Sequence, residues 1–250
     1  MGDRTVNRAD FDAVIFDLDG VVTRTASVHA RAWKQVFDEF LARWRRGNGE
    51  SHEPFDIERD YTLHVDGKPR YDGVRDFLAS RGIELPEGDP SDGPDVESVC
   101  GLGNRKNQLY NELLKEGGVE IFEDTVAQIR AWREMGLKTA IVSSSKNCAT
   151  VLEVAGLTEL FDVRVDGVEL ARLGLEGKPA PDMFLKAAEL MDVDPARAAV
   201  FEDAVSGVQA GRAGGFGWVI GVDRVGNTEG LLANGADTVV SDLRDVPTGS

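Results

Sequence analysis

Cysteine is scarce in this chain: 250 residues contain two, Cys100 and Cys148. Two thiols so far apart in sequence give no disulfide framework and no zinc site, and they suit a reduced, cytoplasmic setting. Histidine is nearly as rare, and His29, His52 and His64 lack metal-ligand spacing. No apolar run approaches the roughly 18 residues of a membrane span. The first ten residues, MGDRTVNRAD, lack the apolar centre of a signal peptide. Positive charge is also in deficit, with 28 Lys and Arg against 44 Asp and Glu and a net charge of −16. That balance argues against binding to nucleic acid or to an anionic membrane, which needs a basic surface. Anionic small molecules stay open, because a metal ion and a few placed cations can set a local field. No internal repeat or low-complexity tract is present.

What is there is an ordinary globular composition, 42% hydrophobic and 29% charged, long enough for a large domain plus a smaller one. The stretch FDAVIFDLDGVVTRT, residues 11–25, organises the rest. The apolar run Ala13 to Phe16 ends at Asp17, Leu18, Asp19 and Gly20, which reads as a buried strand leading into a turn. Asp17 and Asp19 are two apart, so an extended backbone aims both carboxylates to one side. Like charges that close share a cation or a proton, and Mg²⁺ is the economical choice; for this stretch alone, a strand ending in an ordinary Asp-Gly turn is an equal alternative.

The chain then turns helical. Periodicity predicts helices over Ser27 to Arg46, stopped by Gly47, then over Tyr71 to Arg81 and Val96 to Glu116, with a break near Gly101 and Gly103. Residues 47–60, with Gly47, Gly49 and Pro54, read as a loop. So does the Pro- and acid-rich ELPEGDPSDGPD, residues 84–95, whose composition suits a mobile surface loop. From residue 119 short apolar strands alternate with helices. Strands are expected at Thr139 to Val142, Phe161 to Val165, Ala198 to Phe201, Phe216 to Val222 and Thr238 to Val240. Helices are expected at Asp124 to Met135, Asn147 to Ala155 and Pro181 to Met191. The predicted fold class is α/β: a doubly wound parallel-sheet core, residues 1–25 and 117–250, interrupted by an inserted α-helical cap, residues 26–116. The turn at Thr23 to Thr25 and the Gly117-Gly118 pair are the expected hinges.

In such sheets, ligands sit at the carboxyl ends of strands. Three predicted strands end in Asp17 and Asp19, in Ser143, and in Glu202 and Asp203; Lys178 lies in the loop GKPAPD ahead of a helix. Taken singly, Ser143 reads as a helix cap, Lys178 as a solvated lysine and Glu202-Asp203 as a turn. Together, four carboxylates, a hydroxyl and an ammonium suit Mg²⁺-assisted phosphoryl transfer. One carboxylate attacks phosphorus, a second acts as general acid and base, and the others hold the metal, while Ser143 and Lys178 hold the phosphoryl oxygens.

DLDGV, the strand into Ser143, GKPAPD and FEDAVSG occur in the order found in the haloacid dehalogenase (HAD) superfamily of phosphotransferases, which the chain resembles over nearly its whole length. The resemblance implies Asp17 as nucleophile and Asp19 as general acid and base. It implies a Mg²⁺ site of Asp17, Asp19, Glu202 and Asp203, and a phosphate site of Ser143, Ser144 and Lys178. TRTASVHARAWK, DGKPR, NRKN and SSSKN narrow it further, being similar to β-phosphoglucomutases. By that likeness Thr25, His29, Arg70, Lys106 and Asn147 face a sugar phosphate, with Arg70 and Lys106 holding its distal phosphate. Arg24 departs from the family pattern, where an acid is usual, and the loops at 47–60 and 84–95 are longer than a compact mutase cap needs. The implied reaction interconverts β-glucose 1-phosphate and glucose 6-phosphate through the 1,6-bisphosphate, in a cytoplasmic monomer. Two other readings stand beside it: a sugar-phosphate phosphatase on the same core, and a receiver-type phosphoacceptor module. The position of the acceptor on the opening strand and the large helical insertion argue against the receiver.

Overall fold

A computed structural model describes residues 4–48 and 51–249. The chain divides into two compact units, Met1–Arg24 with Val119–Ser250, and Thr25–Gly118. It opens with strand β1 (Ala13–Phe16), all four residues buried. The helical unit follows, with α1 (Ala26–Asn48), a nine-residue π-helix (Ile57–Val65), α2 (Arg70–Ser80) and α3 (Val99–Gly117). Its core is aromatic: Trp33 and Phe37 of α1 pack with Phe55, Phe77, Leu102, Leu109 and Tyr110, the helical-period stripe turned inward.

The chain then runs α4 (Glu123–Glu134), β2 (Lys138–Val142), α5 (Cys148–Val154), β3 (Val163–Val165), α6 (Gly167–Leu173), α7 (Asp182–Leu190), β4 (Ala198–Glu202), α8 (Val205–Ala213), β5 (Trp218–Val222), α9 (Thr228–Ala233) and β6 (Thr238–Val240). The six strands form one sheet in the order β3-β2-β1-β4-β5-β6. Every pairing is parallel. β1, β4 and β5 are buried throughout, as a sheet covered on both faces requires. On one face Phe16 stacks on Phe201 at 4.8 Å, and Trp132 of α4 stacks on Phe16 at 6.0 Å. Phe16 pairs with Phe201 on β4 and Ile141 on β2, so Asp17 emerges beside Glu202 with the β2 exit on its other side. No helix among the described residues is long and apolar enough to cross a membrane.

Several local expectations change. Residues 57–60 are the start of the π-helix rather than loop, and the Asp56 carboxylate accepts from the Arg59 N–H at its start. α1 runs through Gly47 to Asn48, while Gly49 lies outside the described residues. α3 is unbroken at Gly101 and Gly103, because these glycines serve packing: a Cβ at Gly101 would come 2.1 Å from the Val96 carbonyl, and one at Gly103 2.7 Å from the Tyr71 ring. The 84–95 loop is pinned rather than loose. Glu87 receives two hydrogen bonds from Arg75, each 3.0 Å, and Asp92 accepts from Ser98 Oγ at 2.7 Å.

Candidate active site

The turn after β1 is closed by its own backbone. Thr23 and Val22 donate to the Leu18 carbonyl, and Gly20 donates to the Thr23 carbonyl at 2.8 Å. Gly20 sits at φ +88°, a conformation side chains resist. The Asp17 N–H donates to the Phe201 carbonyl at 2.9 Å, continuing the β1–β4 ladder one residue past the strand and fixing Asp17 next to Glu202.

Lys178 joins these two acids. Its buried ammonium donates to Asp17 Oδ1 and to Glu202 Oε1. The second oxygen of Glu202 accepts the Ala204 N–H at 3.0 Å, so both of its oxygens are engaged. Gly207 of α8 makes room for that carboxylate: a Cβ there would lie 1.8 Å from Glu202 Oε1. Asp203 lies over the turn after β1, against Gly20. Burial drives the Asp17 pKa well above the usual carboxylate range; Lys178 opposes this, while Glu202 and Asp19 add to it. Burial acts to lower the Lys178 pKa, but the two acids outweigh it and the ammonium stays charged.

The β2 exit carries a run of serine turns. Ser143 is buried, and its N–H donates to the Val165 carbonyl. Ser143 Oγ accepts the Ser145 N–H and Ser145 Oγ accepts the Asn147 N–H, both at 3.1 Å. Ser143 therefore shapes the loop ahead of α5 instead of capping that helix. Asn147 stands at the N-cap of α5 without a side-chain cap bond. Gly167 lets α6 close against the loop, since a Cβ there would meet the Ser144 carbonyl at 2.5 Å.

In the helical unit, Thr25 is buried, and its carbonyl accepts the His29 N–H at 2.9 Å as α1 begins. Lys106 of α3 meets His29 Nδ1, and its ammonium lies 5.0 Å over the Trp33 ring and 4.9 Å over Tyr110. Arg70, first residue of α2, donates to the Gly103 carbonyl at a long 3.4 Å. Burial lowers its pKa. Gly103 and Lys106 are three apart on α3, so both cations are served by one face of that helix. Thr25, His29 and Lys106 form one group, with Arg70 a turn away.

Gly20 was read as part of the turn after β1, whereas the packing roles of Gly167 and Gly207 were not visible in the sequence, although Gly207 closes the motif FEDAVSG. Among the described residues no three His, Cys, Asp or Glu side chains meet as a ligand set. The donor chemistry nevertheless fits a hard divalent cation. All the donors are oxygens, and one ammonium bonds Asp17 and Glu202 while Asp19 adds further negative charge to a buried pocket.

A family model described as haloacid dehalogenase-like hydrolase matches residues 11–215. A β-phosphoglucomutase of Mycobacterium tuberculosis (strain CDC 1551 / Oshkosh) is 50% identical over 237 residues, covering 94% of this chain and 90% of the relative. A β-phosphoglucomutase of Bacillus subtilis (strain 168) is 32% identical over 94% of this chain and 91% of its own length. The crystal structure of a β-phosphoglucomutase from Clostridium difficile shares the fold with a TM-score of 0.73 at 24% identity, covering 93% of this chain and 91% of that one.

Proposed function

The chain belongs to the haloacid dehalogenase-like hydrolase family and to its β-phosphoglucomutases, an isomerase of the phosphotransferase type, and on that premise we propose that it converts β-glucose 1-phosphate to glucose 6-phosphate through phospho-Asp17 and β-glucose 1,6-bisphosphate. The observation that carries the reading is the buried Asp17–Lys178–Glu202 cluster at adjacent strand ends. It supplies a nucleophile, a fixed positive charge where phosphoryl oxygens gather, and a second acid that holds the lysine in place.

In the first transfer an Asp17 oxygen bonds to phosphorus as the bond to the donor oxygen breaks, and Asp19 gives that oxygen a proton. In the second, a sugar hydroxyl attacks the phosphorus of phospho-Asp17, Asp19 takes the hydroxyl proton, and Asp17 is regenerated. Lys178, Ser143 and Ser144 bind the moving phosphoryl oxygens. Asp17, Asp19 and Asp203, with Glu202 behind them, are the residues that would hold Mg²⁺, which supplies Lewis-acid neutralisation of phosphoryl charge. Burial raises the Asp17 pKa, so this carboxylate needs such added positive charge to work as a nucleophile at neutral pH.

Arg70 and Lys106 would grip the phosphate not being transferred, while Thr25, His29 and Asn147 face the sugar. Excluding water from phospho-Asp17 separates a mutase from a phosphatase. Asp17→Asn tests the assignment: phosphoenzyme and turnover should both vanish, and retained turnover would refute it. Arg70→Ala and Lys106→Ala should damage mutase turnover, whereas a monoester phosphatase would barely notice them.

A further inference from the structure

Arg70 holds its position with little help from its own hydrogen bonds. Its bond to the Gly103 carbonyl is 3.4 Å long, and among the described residues no carboxylate pairs with it. A long side chain so loosely tied would lose rotamer entropy on gripping a phosphate. Its neighbours supply the missing order. Its guanidinium carbon stands 5.3 Å from the Tyr71 ring centroid. Both residues lie on Gly103: a Cβ there would come 2.7 Å from Tyr71 Cδ1 and 3.1 Å from Arg70 Cγ.

The Tyr71 ring is fixed at its far end. Its hydroxyl donates to Asn104 Oδ1 at 3.0 Å. The Asn104 amide nitrogen donates in turn to the Pro90 carbonyl at 3.1 Å and the Asp92 carbonyl at 2.9 Å. The amide thus spends its oxygen on Tyr71 and both its hydrogens on the 84–95 loop. That loop is anchored elsewhere by Arg75–Glu87 and by Asp92–Ser98.

We propose that Tyr71 and Asn104 are positioning residues for Arg70: the loop 84–95 fixes Asn104, Asn104 fixes the Tyr71 ring, and the ring seats the guanidinium that receives the distal phosphate. The inference rests on the phosphate role assigned to Arg70 above. It gives the long acidic loop a task in substrate affinity, exerted through Asn104.

The test compares Tyr71→Phe, Asn104→Ala and Arg70→Ala with the unmodified enzyme on two phosphoryl donors. β-Glucose 1,6-bisphosphate uses the distal grip. Acetyl phosphate, which has no second phosphate, phosphorylates Asp17 without it. Tyr71→Phe removes one hydroxyl and keeps the ring. It should raise KM for the sugar phosphates roughly three- to tenfold, leave kcat within about twofold, and leave phosphorylation by acetyl phosphate unchanged. Asn104→Ala should do the same or more, and Asn104→Gln should not recover the geometry. A merely structural role would lower both donor reactions together, and that result overturns the proposal. So does an unchanged KM in both variants. If Arg70→Ala also leaves the sugar-phosphate KM unchanged, the phosphate role of Arg70 falls first. If Arg70→Ala raises it and Tyr71→Phe does not, the positioning inference alone is wrong.

Discussion

The Asp203 carboxylate lies against the α-carbon of Gly20, so closely that a methyl group on Gly20 would sit 1.7 Å from Oδ2. The turn that follows Asp17 and Asp19 is thereby packed on Asp203, the residue after β4. Gly20→Ala must displace Asp203 or reopen the turn, and the φ of +88° adds backbone strain. Misplacing these groups by about 1 Å should cost on the order of 100-fold in kcat/KM. Circular dichroism should report an intact fold, because the clash is confined to the strand ends. Turnover within a factor of two of the original would contradict the packing argument.

Lys178 is the shared partner of Asp17 and Glu202. Removing it alone leaves two buried carboxylates side by side, and Lys178→Met should lower stability in urea by roughly 3–5 kcal/mol. The double variant Lys178→Met, Glu202→Gln removes one unpaired charge and should recover part of that loss without recovering activity. Strict additivity of the two substitutions would mean the groups do not interact.

Asp60 gives the helical unit a measurable acid response. Burial pushes its carboxyl up, but hydrogen bonds from Arg59, the Asp56 N–H and Arg81 outweigh this and hold it below the usual range. A depressed folded pKa contributes stability above the unfolded value of about 3.9, and that contribution is lost as pH falls through the folded value. Asp60→Asn should therefore be least stable relative to the original near neutral pH. The gap in urea midpoints should close below about pH 4. A constant gap from pH 7 to pH 3 would rule out the carboxylate as its source.

Arg24 has a structural use. Its guanidinium lies 4.2 Å from the Phe122 ring centroid, and that of Arg224 lies 4.1 Å from the same ring. The Arg24 N–H donates to the Glu120 carbonyl and the Phe122 N–H to the Val22 carbonyl, so the stack sits where the outgoing and returning chains pair. Two cation–π contacts at about 0.5–1 kcal/mol each predict that Phe122→Leu loses roughly 1–2 kcal/mol in thermal or urea unfolding. No measurable loss would leave the stack without energetic weight.

The aspartates after β1, the acids at the end of β4 and the lysine of GKPAPD were legible because each stands where an apolar run or helix meets a turn. The bridge from Lys178 to both Asp17 and Glu202 was not. It depends on β1 pairing with β4 in one register, and two segments 185 residues apart do not announce their register. The start of the π-helix was missed because Gly47, Gly49 and Pro54 marked the segment as loop, whereas Ile57–Val65 begins just beyond the last of these breakers. Gly101 and Gly103 suggested a break in α3, yet they mark close approaches by Val96 and Tyr71, and composition alone does not separate the two uses of glycine. The Tyr71–Asn104 tie was hidden for a related reason: a side-chain amide bonding a loop carbonyl leaves no periodic trace.

The most direct test of the central claim is phosphorus NMR of the purified protein with Mg²⁺, β-glucose 1-phosphate and a trace of β-glucose 1,6-bisphosphate. The account predicts that the glucose 6-phosphate resonance grows as the substrate resonance falls, with no inorganic phosphate released. Inorganic phosphate as the main product would contradict it in favour of a phosphatase, and an unchanged spectrum would contradict the assignment of this sugar phosphate.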